Sequence, residues 1–220
     1  GCIDLMAVTS GGSLKLYTGN CALGWKNWAG ITFGGGWNSY LDLIGPGDFD
    51  GDGCNDVIAR NSGFTNLYLW PGNCGAGGVY FKNNGNAIQI GTGWSIFDKI
   101  WSSGDFDADG CMDVMARNSD GAMFLYRGNC GNVGGTYWRN LGAGIQVGSG
   151  FTSTNDLIGP GAFNSGPCTD VIRRTFTASM LLYAGNCGGS GWFDFGGNGQ
   201  SMSGSYTGIS TAAVPHIFGG

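Results

Sequence analysis

The sequence has no glutamate and only one histidine, His216. Acid–base catalysis usually needs a histidine or a carboxylate tuned by its neighbours, and the G-x-S-x-G element of many hydrolases is also absent. Charged residues make up 11% of the chain, and its ten lysines and arginines are scattered along the sequence. Because nucleic-acid binding requires clustered positive charge, we predict neither an enzyme nor a nucleic-acid-binding protein.

Long hydrophobic runs are absent as well. No apolar stretch approaches the ~20 residues that a membrane-spanning helix requires, and the sequence shows neither a signal peptide nor an N-x-[ST] glycosylation sequon. Because the chain begins at Gly1 in the middle of a repeat, we expect a processed or trimmed form. Hydrophobic residues at 42% and aromatic residues at 13% predict a folded protein despite the low charge.

Four copies of the pattern C-x-D-[LV]-[MI], each followed by G-N-C, organise the chain. The cysteines of the four copies are Cys2 and Cys21, Cys54 and Cys74, Cys111 and Cys130, and Cys168 and Cys187. Within each copy they lie 19 or 20 residues apart, whereas the close cysteine pairs of zinc sites are separated by about two to four residues. We therefore predict one disulfide per repeat and a secreted protein from an oxidising compartment.

Each repeat also contains four short extended segments bounded by glycine, asparagine, aspartate or serine. In the second repeat these segments are 40–44, 56–60, Leu67–Trp70 and 87–90. No segment keeps a helical period over ten residues. Four short strands that recur every 52 to 57 residues are typical of a β-propeller with one four-stranded antiparallel blade per repeat.

The predicted architecture is an all-β, four-bladed β-propeller in a single domain, residues 1–220. Its repeats span approximately 1–39, 40–96, 97–153 and 154–213. The tail 216–220 aligns with 42–46 and 156–160, so we predict that 214–220 is the innermost strand of the first blade and closes the ring. The alternative is a larger ring that is completed by other sequence or by a second chain.

Two repeats carry an acidic loop with aspartates at positions 1, 3, 5 and 9. These are Asp48, Asp50, Asp52 and Asp56 in the second repeat, and Asp105, Asp107, Asp109 and Asp113 in the third. Such carboxylates converge on one point, and a hard cation with about six to eight oxygen ligands neutralises their repulsion. We predict two Ca²⁺ sites, each with a backbone carbonyl ligand from Cys54 or Cys111. The alternative is an acidic, solvated turn.

The fourth repeat departs from this pattern. Ala162, Asn164 and Gly166 replace the first three aspartates, and only Asp170 is left. We predict no calcium in that loop.

Two sets of residues are candidates for ligand binding. Asp42, Lys99, Asp156 and His216 share one aligned position of the innermost strands, where they would form either a ligand site at the channel or a solvated ring of charges. The tryptophans Trp25, Trp28, Trp138 and Trp192 follow G-N-C on connections, and exposed indoles there would stack on sugar rings.

Other repeated residues are expected to be structural. We predict that Arg60, Arg117 and Arg174 donate to carbonyls of a neighbouring blade or pair with an aspartate. We also predict that Trp37, Trp94, Phe151 and Tyr206 wedge the blades together.

The loop D-x-D-x-D-G-x-x-D, the strand D-[VL]-[IM]-A-R and the strand L-Y-x-G together resemble the FG-GAP/VCBS repeats of integrin α-subunit propellers and of many secreted bacterial and fungal proteins. The resemblance covers essentially all 220 residues and is strongest in the second and third repeats. It implies structural calcium in the turn between the first two strands of a blade. It also implies extracellular adhesion or carbohydrate binding, as in propeller lectins.

These observations favour a secreted, calcium-stabilised binding module whose partner is a glycan or an extracellular protein surface. Glycan recognition is the leading hypothesis. The alternatives are a protein-adhesion or assembly scaffold, and a polysaccharide hydrolase or lyase that acts at the channel mouth.

Overall fold

The computed structural model describes residues 4–21, 24–130, 136–153, 155–175, 177 and 179–202. These residues form four antiparallel sheets arranged as a four-bladed β-propeller, and the described part of the chain contains no α-helix. In each sheet the strands follow one another in sequence order. The predicted all-β propeller is therefore confirmed.

The strands are short in every blade. Blade 1 contains β1 (Leu5–Val8), β2 (Leu14–Tyr17) and β3 (Ile31–Gly34), and blade 2 contains β4 (Tyr40–Gly47), β5 (Asp56–Asn61), β6 (Leu67–Trp70) and β7 (Ile88–Gly91). Blade 3 contains β8 (Phe97–Gly104), β9 (Asp113–Asn118), β10 (Met123–Tyr126) and β11 (Ile145–Gly148), and blade 4 contains β12 (Asp156–Gly161), β13 (Asp170–Arg174), β14 (Met180–Tyr183) and β15 (Gln200–Ser201). Single 3₁₀ turns occur at Trp37–Ser39, Ala76–Gly78, Asn83–Gly85, Trp94–Ile96, Arg139–Gly142 and Phe195–Gly197.

The innermost strand of blade 2 runs three residues beyond the predicted segment 40–44 and ends at Gly47. Its pairing with β5 shifts register between Ile44 and Gly47, and Gly47 is then opposite Asp56. A glycine fits here because its φ is +93°. The acidic loop therefore connects two residues that face each other across the ladder, so its ends are fixed by the sheet.

Three strands of blade 1 are described, β1 to β3. The segment 214–220, which we predict to be the innermost strand of this blade, lies outside the described residues, as do His216 and Tyr206. Closure of the ring by the C-terminal strand stays a prediction.

The described hydrophobic core consists of three clusters, one at each junction between consecutive blades. Trp37, Trp94 and Phe151 are buried in these clusters, one in each. A large ring at the same position of successive blades fills the wedge-shaped space between two twisted sheets. These three residues therefore have the structural role that their repetition predicts.

Buried arginines connect the blades as predicted. The Arg60 guanidinium donates to the Trp94 and Phe97 carbonyl oxygens of blade 3 at 2.9 and 2.6 Å, and it also contacts the Asp42 carboxylate at 2.6 Å. Arg117 makes the equivalent bonds to blade 4, and it pairs with Asp98. Because both charge and donors are satisfied, a buried arginine is tolerated at these junctions.

Three of the predicted disulfides are present. Cys54–Cys74, Cys111–Cys130 and Cys168–Cys187 each join Cα atoms 5.1 Å apart. Cys21 is disulfide-bonded, but its predicted partner Cys2 lies outside the described residues. Closing a loop of about twenty residues stabilises the fold by about 3 kcal/mol per bridge in the chain-entropy view.

Candidate metal loops and ligand groove

The acidic loop of blade 2 is folded around its own backbone amides. The Asp48 carboxylate accepts hydrogen bonds from the Asp52 and Gly53 amides, both at 2.9 Å. Asp52 in turn accepts from the Cys54 amide at 2.9 Å. As a result, oxygen atoms of Asp48, Asp50 and Asp56 all lie within 4.8 Å of one another.

Asp56 at position 9 has a different environment. It is buried, and its two oxygens accept from the Phe49, Asp50 and Gly72 amides at 2.8, 3.0 and 2.7 Å. Gly72 begins the G-N-C motif, and a Cβ there would lie 2.1 Å from the Asn55 carbonyl oxygen, which explains why this position is glycine. The hydrogen bonds of Asp56 therefore connect the acidic loop to the G-N-C segment, which carries one cysteine of the disulfide.

Burial and crowding raise the pKa values of these carboxyls. Burial raises the pKa of Asp50 to about 7, and the charges of Asp56 and Asp52 add to the effect. Burial also raises the pKa of Asp56 to about 6, against the opposing effect of its three amide donors. A cation in the loop would relieve this repulsion.

The acidic loop of blade 3 repeats the backbone hydrogen bonds but differs in its neutralising charges. Oxygens of Asp105, Asp107 and Asp109 lie within 4.8 Å of one another. The Arg127 guanidinium pairs with both Asp107 and Asp109, and Arg139 contacts Asp109 at 3.1 Å. In blade 2 the corresponding partner is Lys82, which pairs with Asp52. Among the described residues, no second basic residue pairs with this loop.

The fourth member of the blade 3 loop, Asp113, is buried and accepts from the Phe106 and Gly128 amides, both at 2.9 Å. Burial raises its pKa to about 7. Its contacts match those of Asp56, so position 9 anchors the loop in both blades.

The donor sets of the two loops fit a calcium ion. All the candidate side-chain ligands are carboxylate oxygens, the type that hard cations select, and the backbone already gathers three of them at one point in each loop. The carbonyl groups of Cys54 and Cys111 stay predicted ligands.

The corner of blade 4 keeps the backbone hydrogen bonds to the position 9 aspartate but lacks the carboxylate cluster. Asp170 accepts from the Phe163, Asn164 and Gly185 amides at 2.7, 3.0 and 2.9 Å. Asn164 accepts from the Gly166 amide at 2.8 Å, which preserves the turn. The position 9 aspartate is therefore retained where the other three carboxylates are lost.

In each of these blades an aromatic residue bridges to the glycine of G-N-C, and the residue that follows this aromatic differs between the blades. Gly72 bridges to Phe81, Gly128 to Trp138 and Gly185 to Phe193, and the next residues are Lys82, Arg139 and Asp194. Lys82 and Arg139 pair with the position 5 aspartate of their own loop. Blade 4 has no acidic residue at position 5, and there the basic residue is replaced by an aspartate.

The same alignment corrects one candidate ligand residue. Trp138 is equivalent to Phe81 and Phe193, and all three are buried. The Trp138 indole is 8% exposed, packs edge-on against Phe49, and donates to the Ile90 carbonyl oxygen at 2.6 Å. The prediction that Trp138 is an exposed stacking residue is therefore wrong, because the ring fills the junction between blades 2 and 3.

The other three candidate tryptophans have some exposure. Trp28 is 74% exposed, whereas Trp25 is partly buried beside Tyr17. Trp192 is also partly buried and stacks on Phe106 of the blade 3 acidic loop at a centroid distance of 6.3 Å.

A groove of about 470 Å³ lies at the corner of blade 4. Its lining residues are Val147 of blade 3 and Asn186, Ser190, Gly191, Trp192, Phe193, Asp194, Phe195, Gly196 and Gly197 of blade 4. Phe195 is 64% exposed at its rim. Neither Asp194 nor Phe195 is among our candidates from sequence, although their departure from the equivalent residues of the other repeats is a signal that could have found them.

The channel candidates lie at matching register positions. Asp42, Lys99 and Asp156 are each opposite the arginine of the second strand. Burial lowers the pKa of Lys99, while the charges of Asp156 and Asp42 act in the opposite direction. The Asp42 carboxylate is already held by Arg60, and Asp156 contacts Arg174 at 3.2 Å.

Comparison with known families agrees with this geometry. The FG-GAP-like repeat family model matches residues 48–116, a segment that includes both acidic loops. No curated protein matches the chain. Among the described residues, no helix is long and apolar enough to cross a membrane. Together, the repeat match over residues 48–116 and the four-bladed architecture support an FG-GAP-repeat β-propeller.

Proposed function

We propose that this chain is a secreted, calcium-stabilised module that recognises glycans. An FG-GAP propeller with three described disulfides suggests an extracellular binding module. The calcium dependence and the glycan partner are the specific parts of the proposal.

The observation that carries glycan recognition is the presence of exposed aromatic rings beside hydrogen-bonding groups at the blade corners. Phe195 is 64% exposed and adjoins Asp194 in the groove of blade 4, and Trp28 is 74% exposed in blade 1. A sugar ring offers an apolar C–H face and a rim of hydroxyl groups, so a pairing of aromatic and polar side chains suits it.

Calcium would be held by the aspartates of each acidic loop and by the carbonyl group of Cys54 or Cys111. When bound, the ion would neutralise the clustered carboxylates and cross-link the loop. Phe49 and Phe106, at position 2 of the two loops, are buried in the next blade junction. An ordered loop would therefore stabilise the contact between blades, which is a structural role.

A structural rather than a catalytic role is proposed for the channel aspartates. The Asp42 carboxylate accepts hydrogen bonds from Arg60, and Asp156 pairs with Arg174. These contacts favour a role for the channel aspartates in the structure of the blades.

A glycan array probed with calcium and with chelator tests this function. We expect binding to a restricted set of glycans that weakens when calcium is removed. Binding to no glycan on the array would contradict glycan recognition and would favour the protein-adhesion scaffold. Release of reducing ends from a bound polysaccharide would contradict the non-catalytic assignment.

A further inference from the structure

We propose that the groove at the corner of blade 4 is the sugar-binding site, with a neutral pyranose stacked against Phe195 and hydrogen-bonded by Asp194. This inference rests on the proposed glycan function and assigns it to one place. It follows from three features of the groove: its size, an aromatic residue that the backbone does not favour, and a carboxylate that has no partner among the described residues.

The groove has the volume of a small-molecule site. Its volume of about 470 Å³ falls within the range of about 300–1,000 Å³ that is usual for such sites. Val147 belongs to blade 3, and Trp192 and Phe193 belong to blade 4, so the lining spans the blade junction. Trp192 also stacks on Phe106. Aromatic rings therefore line part of the groove beside the polar groups of Asn186, Ser190 and Asp194.

Phe195 is unusual for its position. It adopts a left-handed backbone conformation with φ of 57°, and the equivalent residues Asn83 and Asn140 have φ of 53° and 51°. Asparagine is favoured in this conformation, whereas a bulky side chain there is uncommon. Because the ring is also 64% exposed, neither backbone preference nor core packing explains a phenylalanine here. Contact with a ligand does explain it.

Local hydrogen bonds fix the turn that carries Phe195. Its carbonyl oxygen accepts from the Asn198 side-chain amide at 2.9 Å, and the Asp194 carbonyl oxygen accepts from the Gly197 amide at 3.2 Å. The ring is therefore presented on a defined turn, which lowers the entropy lost on binding.

Asp194 provides the polar contact. Its side chain is exposed, and within the described chain its carboxylate forms no hydrogen bond or ion pair. The equivalent residues Lys82 and Arg139 are both engaged by acidic loops. A free carboxylate beside an aromatic ring accepts hydrogen bonds from two neighbouring hydroxyl groups.

The charge of the groove selects among ligands. Among the described residues that line the groove, Asp194 is the one that is charged, so an anionic ligand such as a phosphate or a sulfated glycan is disfavoured. A neutral sugar supplies both hydroxyl donors and an apolar face. A cationic peptide side chain is the competing ligand, and the experiment separates the two.

The test measures affinity for the strongest neutral glycan from the array by calorimetry, using wild type, Phe195→Asn, Asp194→Asn, Trp28→Ala and the control Leu141→Asn. Phe195→Asn installs the residue of the other blades and so preserves the left-handed turn. We expect about tenfold weaker binding for Phe195→Asn, a clear loss for Asp194→Asn, and wild-type affinity for Leu141→Asn, because Leu141 is an exposed residue on the equivalent turn of blade 3. Unchanged thermal unfolding of each variant is the control for folding.

Other outcomes overturn the assignment in distinguishable ways. Loss of binding in Trp28→Ala with full binding in Phe195→Asn would place the site on blade 1 and leave glycan recognition intact. A wild-type protein that binds an arginine-containing peptide through Asp194, and no glycan, would refute both the sugar and the proposed function.

Discussion

The corners of blades 2 and 4 share one frame but differ in charge. In both, a buried aspartate, Asp56 or Asp170, accepts three backbone amides at 2.7 to 3.0 Å. In both, a disulfide closes the corner. Blade 2 adds three further aspartates and Lys82, whereas blade 4 has Ala162, Asn164 and Gly166 together with Asp194.

The two corners differ in the carboxylates proposed to bind a metal and share the aspartate with a structural role. The corner of blade 4 folds with the position 9 aspartate as the only carboxylate of the four loop positions, so carboxylates at positions 1, 3 and 5 are not required for the turn. The carboxylates at positions 1, 3 and 5 are an addition. A basic residue is present where these carboxylates are present: Lys82 pairs with Asp52 in blade 2. In blade 4, where position 5 is glycine, Asp194 stands in place of the lysine.

The largest expected effect is loss of the shared anchor. Asp170→Ala leaves three amides of a buried corner without an acceptor, and we expect a loss of about 3–5 kcal/mol in the free energy of unfolding. The loss should be equal with calcium and with chelator, because Asp170 has no carboxylate cluster around it. Chemical denaturation in both conditions measures it.

Asn164→Ala is the matched control, since Asn164 holds a single exposed turn bond to Gly166. A loss of less than about 1 kcal/mol is expected for it. An Asp170→Ala variant as stable as the wild type would refute the structural role of position 9.

Removal of calcium is the next largest effect. At a free calcium concentration one hundred times Kd, each site would add about 2.7 kcal/mol, which for this chain length is roughly 5–10 °C in Tm. The double variant Asp48→Asn, Asp50→Asn should abolish the calcium-dependent stabilisation that comes from the blade 2 loop and keep the stabilisation that comes from the blade 3 loop. Differential scanning calorimetry with calcium and with chelator measures the contribution of each loop to Tm.

The corresponding control is Asn164→Asp in blade 4, where one restored carboxylate should not create a calcium response. If the blade 2 double variant keeps the full response to calcium, the acidic loop of blade 2 is not a metal site.

The smallest expected effect is on calcium affinity, when the basic residues that pair with the acidic loops are replaced. Arg127 pairs with two aspartates of the blade 3 loop, and Lys82 pairs with one in blade 2. Each cation opposes calcium binding, so Arg127→Met should raise the calcium affinity of blade 3 by about fivefold and Lys82→Met that of blade 2 by about twofold. Calcium titration calorimetry of each variant would show it, and weaker binding in either would contradict this electrostatic account.

Much of the frame could be predicted from sequence because it is local. The third strand of blade 2, Leu67–Trp70, has the predicted bounds. The three described disulfides join cysteines of the same repeat, at the ends of one hairpin. Spacing within a hairpin controls both features, so a repeated pattern is enough to find them.

The site is less predictable because neighbouring blades decide the environment of each side chain. Trp138 follows G-N-C on a connection, as Trp192 does, yet its ring lies buried against Phe49. Phe49 is 89 residues earlier in the sequence and belongs to blade 2. Exposure at a blade corner depends on which residues the previous blade contributes, and hydrophobicity alone does not report this.

The sequence by itself determined the repeat, the short strands, the cysteine pairing and the positions of the acidic loops, because each follows from contacts within about sixty residues of one another. Only the tertiary structure decided that position 9 is an anchor, that Trp138 is core, and that Phe195 and Asp194 border a groove. Those properties arise where two blades pack together or where a loop returns to its own backbone. Such contacts depend on distances in space that residue order does not specify.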